Sequence, residues 1–391
     1  MMTTRFGGMH VIGCAMILCA FSAPLIAADV PQGDTALSAA PVPEAFMLGG
    51  DISALTELES RGAVYKVDGQ PTDAIRAFRD HGFNWFRLRL FLKPNGRGVV
   101  VNDLPYTIEL ARRVKASGAK LLLDFHYSDT WADPGKQFKP AEWEGLSFDE
   151  LEGRVYEYTR GVLEEMGREG VPPDAVQIGN EISSGMIWPD GKLWVNEAER
   201  EQEFERLSRL LKAGIRGARE GAGPEHQPII IIHIDRGDRW ENTEYYFTRL
   251  QANNVEFDVI GFSYYPRFHD GGLEGVRENL FNTVEQFGKP VALVELGYAS
   301  REPEFEPQRA TFEFPITPEG QMEFTRAVID LVRELPDGKG LGVFWWYPEA
   351  VPIPGDERFV WENGRIGLFD AEGNILPVAD VFRETAAQTA E

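Results

Sequence analysis

Eight runs of strand-forming residues recur along the chain, at 46–51, 83–91, 120–127, 175–181, 229–234, 257–264, 290–297 and 340–347. Between them lie stretches with apolar residues at helical spacing, among them DLPYTIELARRVKASG and EREQEFERLSRLLKAGIRGARE, each closing near a glycine as a helix stop does. Strands alternating with helices at this spacing predict a parallel sheet, and a count of eight predicts closure: an α/β protein, a (β/α)8 TIM barrel, as a single domain over residues 45–391. An open doubly wound sheet is the alternative, but no strand run is followed by a glycine-rich phosphate loop. The length of 391 residues fits one barrel, since such barrels of about 250 residues or more, with insertions, fold around one core.

The ends read differently. Arg5, an apolar stretch over 11–26 and the small residues Ala27 and Ala28 form an export signal expected to span 1–28. A Pro-, Ala- and Ser-rich linker over 29–44 follows. Both cysteines, Cys14 and Cys19, fall inside the signal, so the exported chain is expected to hold no disulfide. The VIGC string ending at Cys14 resembles a lipoprotein cleavage box, yet the apolar stretch before it is too short for one. No later run reaches the roughly 20 apolar residues of a membrane span, and the expected location is the periplasm or the cell exterior.

Charge narrows the ligand. With 39 basic against 62 acidic residues the net charge is −23, which disfavours nucleic acid, anionic lipid and polyanionic polymers. A neutral partner, and a monomeric protein, is expected.

Polar residues gathered at the C-terminal ends of buried barrel strands are poorly explained by packing, because each unpaired buried polar group costs a few kcal/mol. Asp51, Arg87, Arg89, His126, Glu181, His233, Tyr264, Tyr265, Glu295, Trp345 and Trp346 all fall in or at the ends of strand runs. Glu181 closes the fourth run and Glu295 sits in the seventh, which predicts two carboxylates facing each other across one mouth. Cleavage of a glycosidic bond needs such a pair, one to protonate the leaving oxygen and one to meet the developing oxocarbenium ion. Glu181 is assigned as acid/base and Glu295 as nucleophile, expected about 5–5.5 Å apart for a retaining reaction. Arg87 or Arg89 is expected to keep Glu295 ionised, with Tyr264 donating a hydrogen bond to it. The stretch DFHYSDTWADPGKQ is expected to turn His126, Asp129 and Trp131 toward ligand, and Trp188 to offer a sugar platform beside Asn180. No histidines pair at metal-ligand spacing, so no metal site is assigned; His233 with Asp235 reads as a satisfied histidine. No cofactor is required, and a structural calcium ion is possible without being predicted.

Taken in order, GGDISALTELESRG, FRLRLF, LLLDFHYSDTWADPGKQ, VQIGNEISSGMIWPDG, DVIGFSYYP and VELGY resemble glycoside hydrolase family 53, the endo-β-1,4-galactanases that cut type I arabinogalactan. The likeness implies a retaining barrel with Glu181 and Glu295 in the roles given above, Asn180 on the sugar 2-hydroxyl, an arginine of FRLRLF beneath the nucleophile and Tyr264 near it. Four places depart from the pattern: Leu296 where a threonine is usual, Tyr347 where a glutamate is usual with Glu349 displaced, HIDRGDRW around strand five, and an acidic insertion over 301–315. The alternatives are a hydrolase of the same mechanism acting on mannan, xylan or another β-glycan, and a glycan-binding barrel without catalysis.

Overall fold

The structure is a computed structural model and describes residues 43, 45–302, 312–353, 355–356 and 359–389. The expected export segment at 1–28, the linker at 29–44 apart from residue 43, and residues 303–311 of the insertion lie outside the described residues.

Eight parallel strands form the centre: β1 (Met47–Asp51), β2 (Trp85–Leu90), β3 (Lys120–Phe125), β4 (Ala175–Ile178), β5 (Ile229–Ile234), β6 (Val259–Tyr264), β7 (Val291–Leu296) and β8 (Gly340–Trp346). Each pairs with its neighbours in sequence, and β1 also pairs with β8, so the sheet is a closed barrel. Helices α1 (Leu55–Ser60) and α2 (Ala74–Asp80) follow β1. Helices α3 (Leu104–Ala116), α4 (Phe148–Arg168), α5 (Arg200–Ala222), α6 (Trp240–Ala252), α7 (Gly272–Phe287) and α8 (Pro318–Arg333) follow β2 to β7 in turn, and α9 (Val378–Thr389) follows β8. Local chemistry sets several helix starts. Ser147 and Glu150 form a reciprocal capping box at α4, and Asp103 accepts from the Tyr106 amide at α3. Among the described residues no helix is long and apolar enough to cross a membrane.

The strands are buried on both faces. Outward residues such as Phe86, Leu88, Leu121 and Leu123 pack under the helices in one continuous core. Inward residues at the N-terminal half, among them Met47, Trp85, Leu122, Ile231, Val294 and Phe344, fill the barrel as a separate apolar plug. Counting on by twos, the inward positions turn polar: Asp51, Arg87, Asp124, Gln177, His233 and Ser263, all buried. The lower barrel is therefore a dry stopper and the upper barrel a polar floor.

Strand β7 breaks this count. Leu293 and Leu296 both belong to the outer core and Val294 to the plug, so strict alternation would turn Glu295 outward. The register shifts at this point against both β6 and β8, and the bulge turns Glu295 into the barrel mouth.

The plug leaves no spare room. A Cβ on Gly49 would lie 2.6 Å from Cδ1 of Phe344 and 3.1 Å from the Trp85 carbonyl oxygen. Gly49→Ala is expected to lower stability by about 1–3 kcal/mol, the cost of overpacking a filled core. Guanidinium unfolding checks this, and an unchanged midpoint would show that Phe344 can give way.

Candidate active site

The site is organised around Arg87, which is fully buried on β2. Its Nε donates to Gln177 Oε1 at 2.8 Å and its Nη1 to Asp51 Oδ2 at 2.7 Å. Nη2 meets Asp124 Oδ2 at 2.9 Å, Asn180 Oδ1 at 2.7 Å and Glu295 Oε1 at 3.0 Å. One rigid fork thus ties β1, β3, β4 and β7 together. Burial opposes the guanidinium charge, but Asp124, Glu295 and Asp51 more than offset it and its pKa rises. Asp124 in turn stays below the usual carboxylate range, because Arg87 and then His126 outweigh its burial.

Glu295 is 4% exposed and receives a second hydrogen bond, from the Tyr265 hydroxyl to Oε2 at 2.7 Å. Burial raises its pKa to about 7, against the pull of Arg87 and Tyr265. Glu181 follows β4 through Gly179, which has φ of +90°, and itself adopts the left-handed region at φ +47°. Such a conformation is costly for a residue with a Cβ, and here it lifts the carboxyl off the end of the strand into the mouth. Tyr127 after β3 and Tyr347 after β8 also have positive φ, +46° and +59°.

The Glu181 carboxyl is held from one side. Ser263 Oγ donates to Oε1 at 2.6 Å, and His233 Nε2 lies 2.9 Å from Ser263 Oγ. His233 Nδ1 lies 3.0 Å from the Gln177 amide nitrogen, 3.1 Å from Asn180 Oδ1 and 3.4 Å from the Glu181 backbone nitrogen; because the one Ser263 hydroxyl hydrogen points to Glu181, Ser263 Oγ accepts from Nε2–H of the ring. Burial and then Arg87 push the His233 pKa well below normal, so the ring stays neutral. With Oε1 fixed as an acceptor, Oε2 is the oxygen free to carry a proton. Burial, the Glu295 charge and Asp235 together raise the Glu181 pKa well above the usual carboxylate range. The two glutamates thus differ in the expected sense: cation and phenol act on Glu295, anions on Glu181.

Both glutamates line one open cleft of about 640 Å³ at the C-terminal end of the barrel. Trp131 and Trp346 meet edge to face on one wall with centroids 6.0 Å apart, and the Arg89 guanidinium lies 4.4 Å from the Trp131 centroid. Tyr265, Phe268 and Trp361 are also in the lining; the last two stack at 6.1 Å, with 55% and 37% of their surfaces exposed. A flat, partly polar trough walled by aromatic rings suits the C–H faces and hydroxyls of a sugar chain.

Of the expected site residues, Asn180, Glu181, Glu295, Trp131, Tyr265 and Trp346 line the cleft. Asp51, Arg87, Arg89 and His233 lie beneath it as buried support. Several expectations are corrected. Tyr264 packs outward against Phe324, and the phenol reaching Glu295 is that of Tyr265. Trp345 also faces outward, its Nε1 donating to the Ile366 carbonyl. His126 is buried, with Nε2 3.1 Å from Asp124 and Nδ1 accepting from the Ala132 amide, so it braces the loop instead of meeting ligand. Asp129 accepts the Lys93 and Ala141 amides and ties two loops together. Trp188 stands apart from the cleft lining, its Nε1 bonded to the Ser184 carbonyl and Lys192 4.1 Å from its ring centroid.

Sequence reasoning missed Asp124, Gln177 and Ser263, whose signal is a lone polar residue inside the apolar runs LLLDF, AVQI and GFSYY. It also missed Phe268 and Trp361, on loops without any period. Of the four departures from the family pattern, Leu296 belongs to the outer core and Glu349 is buried behind the mouth. Glu349 Oε1 accepts the Ala54 amide at 3.1 Å, and burial raises its pKa to about 8. Tyr347 and Asp235 do line the cleft. Among the described residues no group of three or more histidine, cysteine or acidic side chains could hold a metal ion.

The family model described as Glycosyl hydrolase family 53 matches residues 47–382. The probable arabinogalactan endo-β-1,4-galactanase A of Aspergillus terreus is 34% identical over 77% of this chain and 84% of its own length. An endo-β-1,4-galactanase of Bacillus subtilis is 32% identical over 79% of this chain and 71% of its own. The solved catalytic domain of an Ignisphaera aggregans family 53 protein superposes with a TM-score of 0.78 and 31% identity, covering 89% of this chain and 99% of that one. The closed barrel, its paired glutamates and these matches over most of the chain agree: the protein belongs to glycosyl hydrolase family 53.

Proposed function

We infer that the protein is an exported endo-β-1,4-galactanase that hydrolyses the β-1,4-galactosidic bonds of pectic galactan with retention of configuration. The observation that carries the reaction is the unequal environment of two glutamates on one cleft. The family 53 relatives that carry the galactanase name support the substrate.

On this reading Glu295 Oε1 or Oε2 attacks the anomeric carbon, while Arg87 and Tyr265 hold the carboxylate ionised and aimed. Glu181 gives its Oε2 proton to the departing glycosidic oxygen, and the bond to the leaving sugar breaks. A water molecule then loses a proton to Glu181 and displaces Glu295, which restores both groups. The two displacements at one carbon preserve its configuration. Trp131 and Trp346 seat the sugar rings, and neutral polysaccharide tolerates the acidic surface. The chemistry uses only carboxyl groups and water, so it requires no cofactor.

Reducing-end release on a panel of galactan, xylan and mannan tests the substrate; hydrolysis of galactan is expected, and activity confined to another glycan overturns the assignment. Proton NMR of the first products should show the β-anomer, whereas an initial α-anomer would mean inversion.

Glu181→Gln is expected to lower kcat on galactan by about 10²–10⁴-fold, the usual share of a general acid and base. Glu295→Gln should lose at least as much. Affinity for galactan oligosaccharides, measured calorimetrically on both variants, should change little.

The pH dependence follows from the signs above. Glu295 must be ionised, so kcat/KM falls as pH drops through its raised pKa of about 7. Glu181 must be protonated, so activity falls again as pH rises through its own raised pKa. A bell-shaped profile results. Tyr265→Phe removes a donor that favours the charged form of Glu295 and should move the acid limb upward. An acid limb below pH 5 in the unaltered enzyme would show that Arg87 outweighs burial.

A further inference from the structure

One carboxylate in the cleft acts on Glu181 through its charge but has no contact with substrate in the reaction above. Asp235 follows β5, in the segment where the chain departs from the family pattern, and lines the cleft with both glutamates. Its position is locked from both sides by one hydroxyl. Ser183 Oγ accepts the Asp235 backbone N–H at 3.2 Å and donates to Asp235 Oδ1. Oδ2 is left without a hydrogen bond to any described residue, and no described lysine or arginine is ion-paired with the carboxyl. The other acidic side chain of the lining, Asp133, is by contrast paired with Lys136 at 2.7 Å inside its own loop. A partly buried carboxylate with one oxygen anchored and the other open to a sugar cleft is an acceptor awaiting a donor, and a neutral glycan offers only hydroxyls.

Its anchor indicates which sugar. Ser183 lies two residues after Glu181, so Asp235 is tied to the segment that carries the acid/base and not to β7 with its nucleophile. Glu181 protonates the oxygen that departs with the leaving sugar, and a group moving with Glu181 stands beside that sugar.

We propose that Asp235 is a specificity-determining residue of the leaving-group subsite, its free oxygen accepting a hydrogen bond from a hydroxyl of the sugar released in the first step. The proposal rests on the retaining assignment of Glu181 and Glu295. It implies that the enzyme requires an unsubstituted hydroxyl near the scissile oxygen on the departing side.

The test compares two leaving groups on the same protein. Galactan oligosaccharides present a sugar at this subsite, while an aryl β-1,4-oligogalactoside presents a ring without that hydroxyl. Asp235→Asn keeps the shape and removes the charge, and Asp235→Ala removes the acceptor. Measured below the alkaline limb, where Glu181 is protonated with or without Asp235, each should lower kcat/KM on the oligosaccharide by about 10- to 100-fold, the range for a hydrogen bond to a charged group, and change it by less than about 2-fold on the aryl substrate. Ser183→Ala, which frees the carboxylate to turn, should show the same split at smaller size. Equal losses on both substrates would overturn the proposal, since they would place Asp235 in folding, and a loss that appears only as a lowered alkaline limb would overturn it by placing Asp235 behind Glu181; no loss on either would also overturn it. Failure of the unaltered protein on galactan with activity on another β-glycan would instead defeat the galactan assignment, and the same leaving-group comparison on that glycan would still decide the role of Asp235.

Discussion

A single buried cation holds this molecule's function in place. Arg87 spends its donors on Asp51, Asp124, Gln177, Asn180 and Glu295, which come from β1, β3, the β4 strand and its turn, and β7. Taking a guanidinium out of water costs several kcal/mol, and only a complete set of partners offsets it. The partners are equally dependent, because Asp51 and Asp124 are fully buried anions that no longer reach solvent. Closure of the barrel is what makes the arrangement possible, since these residues are distant in sequence and meet only across the ring. Glu295 is one of five ligands of a charge centre whose geometry the whole barrel fixes.

Much of this was legible in the chain. Eight runs separated by helical stretches specify the barrel, and acidic residues at the ends of the fourth and seventh runs specify the pair. The failures share one cause. Barrel strands are apolar on both faces, so the pattern that normally separates inside from outside disappears. Tyr264 and Tyr265, or Trp345 and Trp346, are then indistinguishable by sequence, though one of each pair enters the cleft and the other lies under a helix. Glu295 was placed at the mouth by chemistry, not by periodicity; a bulge is a property of pairing with β6 and β8, and β7 alone carries no sign of it.

His126 and Asp129 show a second limit. Both sit in the densest polar and aromatic stretch of the chain, where function was the natural expectation. A long loop over a cleft must also satisfy its own backbone, and these two side chains do so by accepting amides from Ala132, Lys93 and Ala141. They support Trp131 without facing the ligand themselves. Composition marks such a loop as important but does not divide its residues into walls and braces.

The apolar stopper below the polar floor governs traffic as well as shape. Met47, Trp85, Phe344 and their neighbours close the barrel's lower end, and Glu295 is 4% exposed. Among the described residues the cylinder is filled from below, so solvent reaches Glu295 from the open cleft above it. On the proposed reaction, any hydroxyl compound seated in that cleft, a second sugar included, competes with water for the same carbon.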